Sequence, residues 1–112
     1  MSARLDTARG FVKAVQGKDA DTATTFVADD VEVSLPMVPA PFRGKDGVRQ
    51  MIRMAPAELV QTPRGDEERD GVVRVTTLTR APGIFANYTT WVFEFDAQDR
   101  VRRLSFEFRA AN

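Results

Sequence analysis

The sequence predicts an α+β domain in which three N-terminal helices cover one face of a curved, antiparallel or mixed sheet. Three observations carry that expectation. Apolar residues recur at helical spacing early in the chain, strict alternation takes over in the second half, and turn-forming residues stand at the joins.

Leu5, Ala8, Val12 and Val15 fall at helical spacing, with Phe11 on the same broad face. Ser2 is placed to cap the start of this helix, and Gly17 reads as its stop. A shorter helix follows over about Ala20 to Val27, capped by Asp19 or Asp21, with Ala23, Phe26 and Val27 towards the core. Asp29 and Asp30 break that pattern as a solvated turn. Val31, Val33 and Leu35 then alternate with Glu32 and Ser34 as a half-buried strand. Pro36, Pro39 and Pro41 forbid a helix and give an extended loop that Gly44 closes. Val48, Met51 and Ile52 mark a third helix, ending by Ala55 because Pro56 follows.

The rest of the chain reads as β. Leu59 to Thr62 is a weak strand, Arg64 to Asp70 a solvated charged turn, and Asp70-Gly71 a hairpin signal before Val72 to Thr79. Asn87 to Phe95 and Val101 to Phe108 form a second hairpin through the polar turn Asp96 to Arg100. Trp91, Phe93 and Phe95 share one phase. Leu104, Phe106 and Phe108 share the facing one, with Val101 out of step, so a bulge near Arg102 or Arg103 is needed to reconcile them.

Composition narrows the chemistry. A chain of 112 residues fits one domain, 1–112, with a single core. Sixteen basic and sixteen acidic residues cancel, so there is no basic excess to grip nucleic acid or an anionic membrane. The chain has no cysteine, which excludes disulfides, thiolate metal sites and a cysteine nucleophile. It has no histidine either, so acid–base work would fall to carboxylates, lysine or the one tyrosine, Tyr88. No metal or cofactor is expected. Nothing approaches the roughly 20 apolar residues of a membrane span, and the reading is a soluble cytoplasmic protein.

The segment from Phe26 to Val48, F-V-A-D-D-V-E-V-S-L-P-M-V-P-A-P-F-R-G-K-D-G-V, resembles ketosteroid isomerase-like and SnoaL-like polyketide cyclase-like proteins of the nuclear transport factor 2-like superfamily. The earlier Q-G-K-D-A-D resembles the link between their first two helices, and the late F-E-F-D-A-Q-D-R-V-R-R-L resembles their last hairpin. The resemblance implies a cone-shaped fold with a cavity, and a homodimer formed through the convex sheet face. It also permits a residue-level comparison. The isomerase general base, an aspartate before the strand-ending proline, corresponds to Leu35; its oxyanion tyrosine to Phe11; its oxyanion aspartic acid to Trp91. None of these three can move a proton or stabilise an enolate, and removing one oxyanion donor already costs roughly 100- to 1,000-fold. The cyclase route through a histidine is closed as well.

The same resemblance implies a cavity lined by Phe11 on the first helix, by Leu35, Met37 and Phe42 around the proline loop, and by Met51 and Met54 on the third helix. From the sheet it adds Phe85, Trp91, Phe93, Phe106 and Phe108, with Asn87, Thr89 and Thr77 as polar anchors. Such a lining suits an apolar or aromatic small molecule. Two alternatives stay open. One is an enzyme of other chemistry (isomerase, cyclase, dehydratase or hydrolase) using a buried carboxylate or Tyr88. The other is an interaction module whose cone is filled by its own side chains. Asp29 with Asp30, Arg43 with Gly44, and Glu94 with Glu107 are polar candidates whose plainer readings are turns and surface ion pairs with Arg74 and Arg103. Ile84 and Phe85, large apolar residues in an expected loop, are candidates for a lid over the cavity or for a contact to a second subunit.

Overall fold

The first helix, α1 (Ala3–Gln16), buries Ala8, Phe11, Val12, Ala14 and Val15 on the face its spacing defines. The computed structural model describes residues 3–55, 59–81, 83 and 85–110, with the backbone alone at Phe85. The proposed Ser2 cap lies outside them. Gly10 lets Phe26 lie against α1, since a Cβ there would stand 2.6 Å from the Phe26 ring. The helix closes with Asp19 N–H donating to Ala14 O at 2.9 Å and Lys18 N–H to Val15 O at 3.0 Å. That pair is a Schellman closure. Its left-handed residue is Lys18, with φ of 57°, one position beyond the glycine that the sequence nominates.

The second helix, α2 (Ala20–Thr24), is capped by Asp19, whose carboxylate accepts from Thr22 N–H. It is shorter than its spacing suggests. The Thr24 and Thr25 hydroxyls donate back to the Asp21 and Thr22 carbonyls, local bonds that compete with helix continuation. The chain is extended from Val27, so β1 (Val27–Ser34) contains Asp29 and Asp30, both exposed. The turn expected there is a bulged stretch of strand, where register with the neighbouring strand shifts between Val27 and Glu32. After the proline loop come β2 (Phe42–Arg43) and α3 (Gly44–Met54).

β3 (Val60–Arg69) and β4 (Val72–Ala81) are joined by Asp70 and Gly71, with φ of 54° and 79°, the two positive values a tight hairpin turn requires. β3 runs through the charged stretch expected to be a turn. It is an edge strand, and nearly all of its positions are exposed, so no alternation marks it. Its charges and Pro63 guard an unpaired edge against strand addition. β5 (Phe85–Phe95) and β6 (Val101–Ala110) complete a six-stranded sheet of order β2-β1-β6-β5-β4-β3. β1 and β6 are parallel and the other pairs antiparallel. Glu94 pairs with Arg103 and Phe95 with Val101, so Arg102 is the extra residue and the expected bulge is present.

α1 lies against β3 and β4, and α3 against β1. The fold is therefore the α+β arrangement that the sequence predicts, N-terminal helices on the concave side of a curved sheet. No helix among the described residues is long and apolar enough to cross a membrane.

Candidate functional site

Strand pairing sorts the concave face into rows. At the closed end Val33, Leu104, Phe93 and Val73 stand side by side, all with no exposed surface. The next row is Phe106, Trp91 and Val75, followed by Phe108, Thr89 and Thr77, and then Asn87, Thr79 and Gln61. Polarity thus rises from the closed end to the open one.

The closed end is solid. Phe11 meets Trp91 and Phe93 edge-on, at centroid distances of 6.4 and 5.8 Å, and Trp91 lies nearly parallel to Phe93. Beyond this aromatic plug the cone opens into a cleft of about 470 Å³, a size typical of small-molecule sites. Trp91 and Phe106 stand on its sheet side, Val15, Met51 and Ile52 on its helix side, and Leu35, Met37 and Met54 towards the opening. Met37, Met54 and Phe108 are 90%, 60% and 49% exposed, giving the mouth an apolar rim.

One polar device crosses this wall. Trp91 Nε1 donates to Thr77 Oγ1 at 3.1 Å, Thr77 and Thr79 hydroxyls stand 3.3 Å apart, and those of Thr79 and Thr89 2.8 Å apart. Thr89 then donates to Asn87 Oδ1 at 3.0 Å. All three threonines are buried, so the chain satisfies groups that would otherwise be desolvated without partners. Gln61 Oε1, across from Thr79, is buried with no hydrogen-bond partner among the described residues.

Leu35, Met37, Met51, Met54, Asn87, Trp91, Phe106 and Phe108 surround the cleft, together with the anchor Thr89. Phe11 and Phe93 do not. They have no exposed surface and sit behind Trp91, because inward phase fixes which face a side chain takes but not how far along the cone it stands. Phe42 is partly buried beneath the first turn of α3, where a Cβ on Gly47 would lie 2.9 Å from its backbone. Thr77 lies one bond behind the wall. The lid expected of Ile84 and the side chain of Phe85 falls outside the described residues. Val15, Ile52, Leu59, Gln61 and Thr79 line the cleft without having been singled out by the sequence. Thr79 has the inward phase of Thr77, a signal that was there to be used. Val15 and Ile52 look like ordinary core positions.

No ionisable side chain lines the cleft among the described residues. Tyr88 lies on the convex face in the phase opposite Trp91, with the Arg109 guanidinium 5.0 Å above its ring. The groups with displaced proton affinities are elsewhere. The Arg100 backbone N–H holds the Asp96 carboxyl below its ordinary range, the Arg9 side chain does the same for Asp66, and the Thr22 hydroxyl for Asp19. These are turn, ion-pair and cap interactions, not a catalytic cluster.

A second, wider groove over the β1 bulge is lined by charges of both signs. Its carboxylates are matched: Glu32 to Arg43 at 3.1 Å, Asp29 to Lys45 at 3.5 Å, Asp30 to Arg102 at 3.8 Å and Glu94 to Arg103 at 3.9 Å. Gly44 supplies the turn with φ of 72°. No group of three metal-ligating side chains occurs among the described residues. Solvent-exposed pairs of this kind contribute little and offer no reacting centre.

Solved structures share this architecture. A protein from Sphaerobacter thermophilus is 29% identical, with 97% of each chain covered and a TM-score of 0.79. A provisionally named ketosteroid isomerase from Kribbella flavida is 16% identical, with 96% of this chain and 78% of that one covered and a TM-score of 0.82. A provisionally named polyketide cyclase from Sinorhizobium meliloti is 21% identical, with 91% and 94% covered and a TM-score of 0.77. No curated protein matches the chain. The SnoaL-like domain matches residues 8–104, nearly the whole length over which helices and sheet enclose the cone, and the chain belongs to that family.

Proposed function

We propose that this SnoaL-like domain holds an apolar small molecule in its cone and does not carry out the steroid isomerase reaction. The observation that carries the reading is the wall itself: Trp91, Phe106, Leu35, Met51 and Ile52 surround a cleft of about 470 Å³ with no acid or base among the described lining residues. Apolar area removed from water contributes roughly 25 cal/mol per Å², and methionines adapt to the ligand's shape. A proton-transfer enzyme would need a titratable group at this wall, and Tyr88 is on the other side of the sheet.

A homodimer is the second part of the proposal. It is supported by the half-buried Leu78, Tyr88 and Val92 on the uncovered convex face of β4 and β5. Sedimentation equilibrium on the wild type and Val92→Arg tests it. A wild-type monomer at all concentrations is the contrary result.

The binding reading is tested with the single tryptophan. Titration with steroids, polycyclic aromatics and fatty acids, with free N-acetyltryptophanamide as the inner-filter control, is expected to give saturable quenching at micromolar ligand. A flat response across the panel would reject it.

A further inference from the structure

Among the described residues the exposed large hydrophobics are Met37, Met54, Val60 and Phe108, and all of them stand at one end of the molecule. Met37, Met54 and Phe108 border the cleft. Val60 lies between Leu59 and Gln61, which line it, and pairs with Arg80 at the end of β4. They come from the proline loop, the last turn of α3, the first residue of β3 and the end of β6, so they ring the opening. Scattered singly, such side chains need no explanation; gathered around one opening, they mark a contact surface.

The net charge of zero conceals an uneven distribution around this ring. Arg53 precedes Met54 in the last turn of α3, Arg80 pairs with Val60, and Arg109 follows Phe108. All three are exposed. Arg53 and Arg80 make no ion pair among the described residues. Lys18 reaches the same end, its ammonium donating to Ala55 O at 2.9 Å. The nearby carboxylates are engaged or set back. Asp19 caps α2, Asp21 pairs with Arg49 at 2.7 Å, and Glu107 stands a row further in, opposite Thr90 on the convex face. At the closed end, by contrast, the hairpin turns carry Asp70, Asp96 and Asp99.

An apolar ring flanked by cations is complementary to an anionic lipid surface, where apolar side chains enter the acyl boundary and guanidinium groups stay at the level of the phosphates. We infer that the mouth of the cone docks on the anionic surface of a lipid bilayer. Net charge forecasts no such grip because it describes the overall field, whereas this contact is local. A fluid surface suits this end better than a folded partner. The apolar side chains surround a hollow, which lipid closes over, whereas a protein would have to present a plug shaped to fill it. The docking stands on the rim alone. Where the binding role proposed above also holds, an apolar ligand passes from lipid to cleft without crossing water.

Cosedimentation with phosphatidylcholine vesicles, with and without an equal part of phosphatidylglycerol, tests the inference. Wild type is expected to bind the mixed vesicles and to leave them when salt is raised to about 0.5 M. Arg53→Gln and Arg80→Gln should each lower the affinity about fivefold. Arg69→Gln makes the same change of charge at the closed end of β3 and should alter little. Orientation is read from Met37→Trp in a Trp91→Phe background, whose emission moves to the blue on vesicle addition, while Arg69→Trp in that background does not shift. Far-UV circular dichroism checks that each variant is folded. Binding indifferent to phosphatidylglycerol, equal losses from Arg69→Gln and Arg80→Gln, or a Met37→Trp emission that does not move would overturn the inference. So would an absence of vesicle binding, which would leave the rim to an acidic protein or a second copy of the chain. Ligand uptake in lipid-free solution is a separate measurement, so the docking and the binding role fail independently.

Discussion

Thr77→Val removes the acceptor for the Trp91 indole with almost no change in volume. Thr77 has no exposed surface and Trp91 is 1% exposed, so the indole N–H cannot turn to bulk water. A buried donor left without a partner costs about 1–3 kcal/mol, and the added methyl offsets part of this, leaving a loss of about 1–2 kcal/mol. For a domain of this size that corresponds to a fall in Tm of about 5–10 °C. The clean measurement is a double-mutant cycle with Trp91→Phe, followed by urea unfolding and far-UV circular dichroism. Phenylalanine has no N–H to satisfy, so Thr77→Val should be nearly neutral in that background, giving a coupling of about 1–2 kcal/mol. Equal effects of Thr77→Val in both backgrounds would refute the claim that Thr77 anchors the relay.

Gly17→Ala is expected to be neutral or to stabilise by up to about 1 kcal/mol in urea unfolding. The left-handed residue is Lys18, and a Cβ on Gly17 meets nothing nearer than 3.6 Å. A marked loss of stability would put the helix stop back at Gly17. The carboxyls of Asp19, Asp66 and Asp96 are held below their ordinary range, so their contribution is complete above about pH 4. It is lost as the pH falls through the lower folded-state values. With no imidazole to titrate, the urea midpoint should be flat from about pH 5.5 to 8, and a step near pH 6.5 would count against this account. Under mild peroxide, Met37 and Met54 should form sulfoxides before Met51, which is 8% exposed. Peptide mapping reads the order, and the polar rim that results should weaken binding of polycyclic aromatics.

Where a residue type acts through backbone geometry or through alternation, the sequence was enough. Asp70-Gly71 makes its hairpin because both residues tolerate positive φ, and the phase conflict between Val101 and Leu104 required a bulge that the structure places at Arg102. β3 was not legible beyond its first residues. An edge strand facing water has no buried face to imprint an alternation, so Arg64 to Arg69 looks like a turn. β1 begins four residues before Val31 because the backbone bonds around Val27, including Val101 N–H to Phe26 O at 2.9 Å, outweigh a weak helical propensity at Thr24 and Thr25.

The same limit governs the site. Alternation says that Phe93, Trp91, Thr89 and Asn87 share a face. It does not say that the cone is solid at Phe93 and open at Trp91, since that depends on how deeply Phe11 reaches from α1. The threonine relay depends on diagonal neighbours across two strands, a relation that only register supplies.

The central claim is that the cleft between α3 and the sheet takes up an apolar molecule. The most direct measurement uses protein labelled with ¹³C at the methionine methyls, titrated with a polycyclic aromatic and followed by NMR. The account predicts saturable shifts of Met37, Met51 and Met54, all of which border the cleft. Methyl signals that stay put at ligand concentrations saturating for any other probe of binding would contradict it.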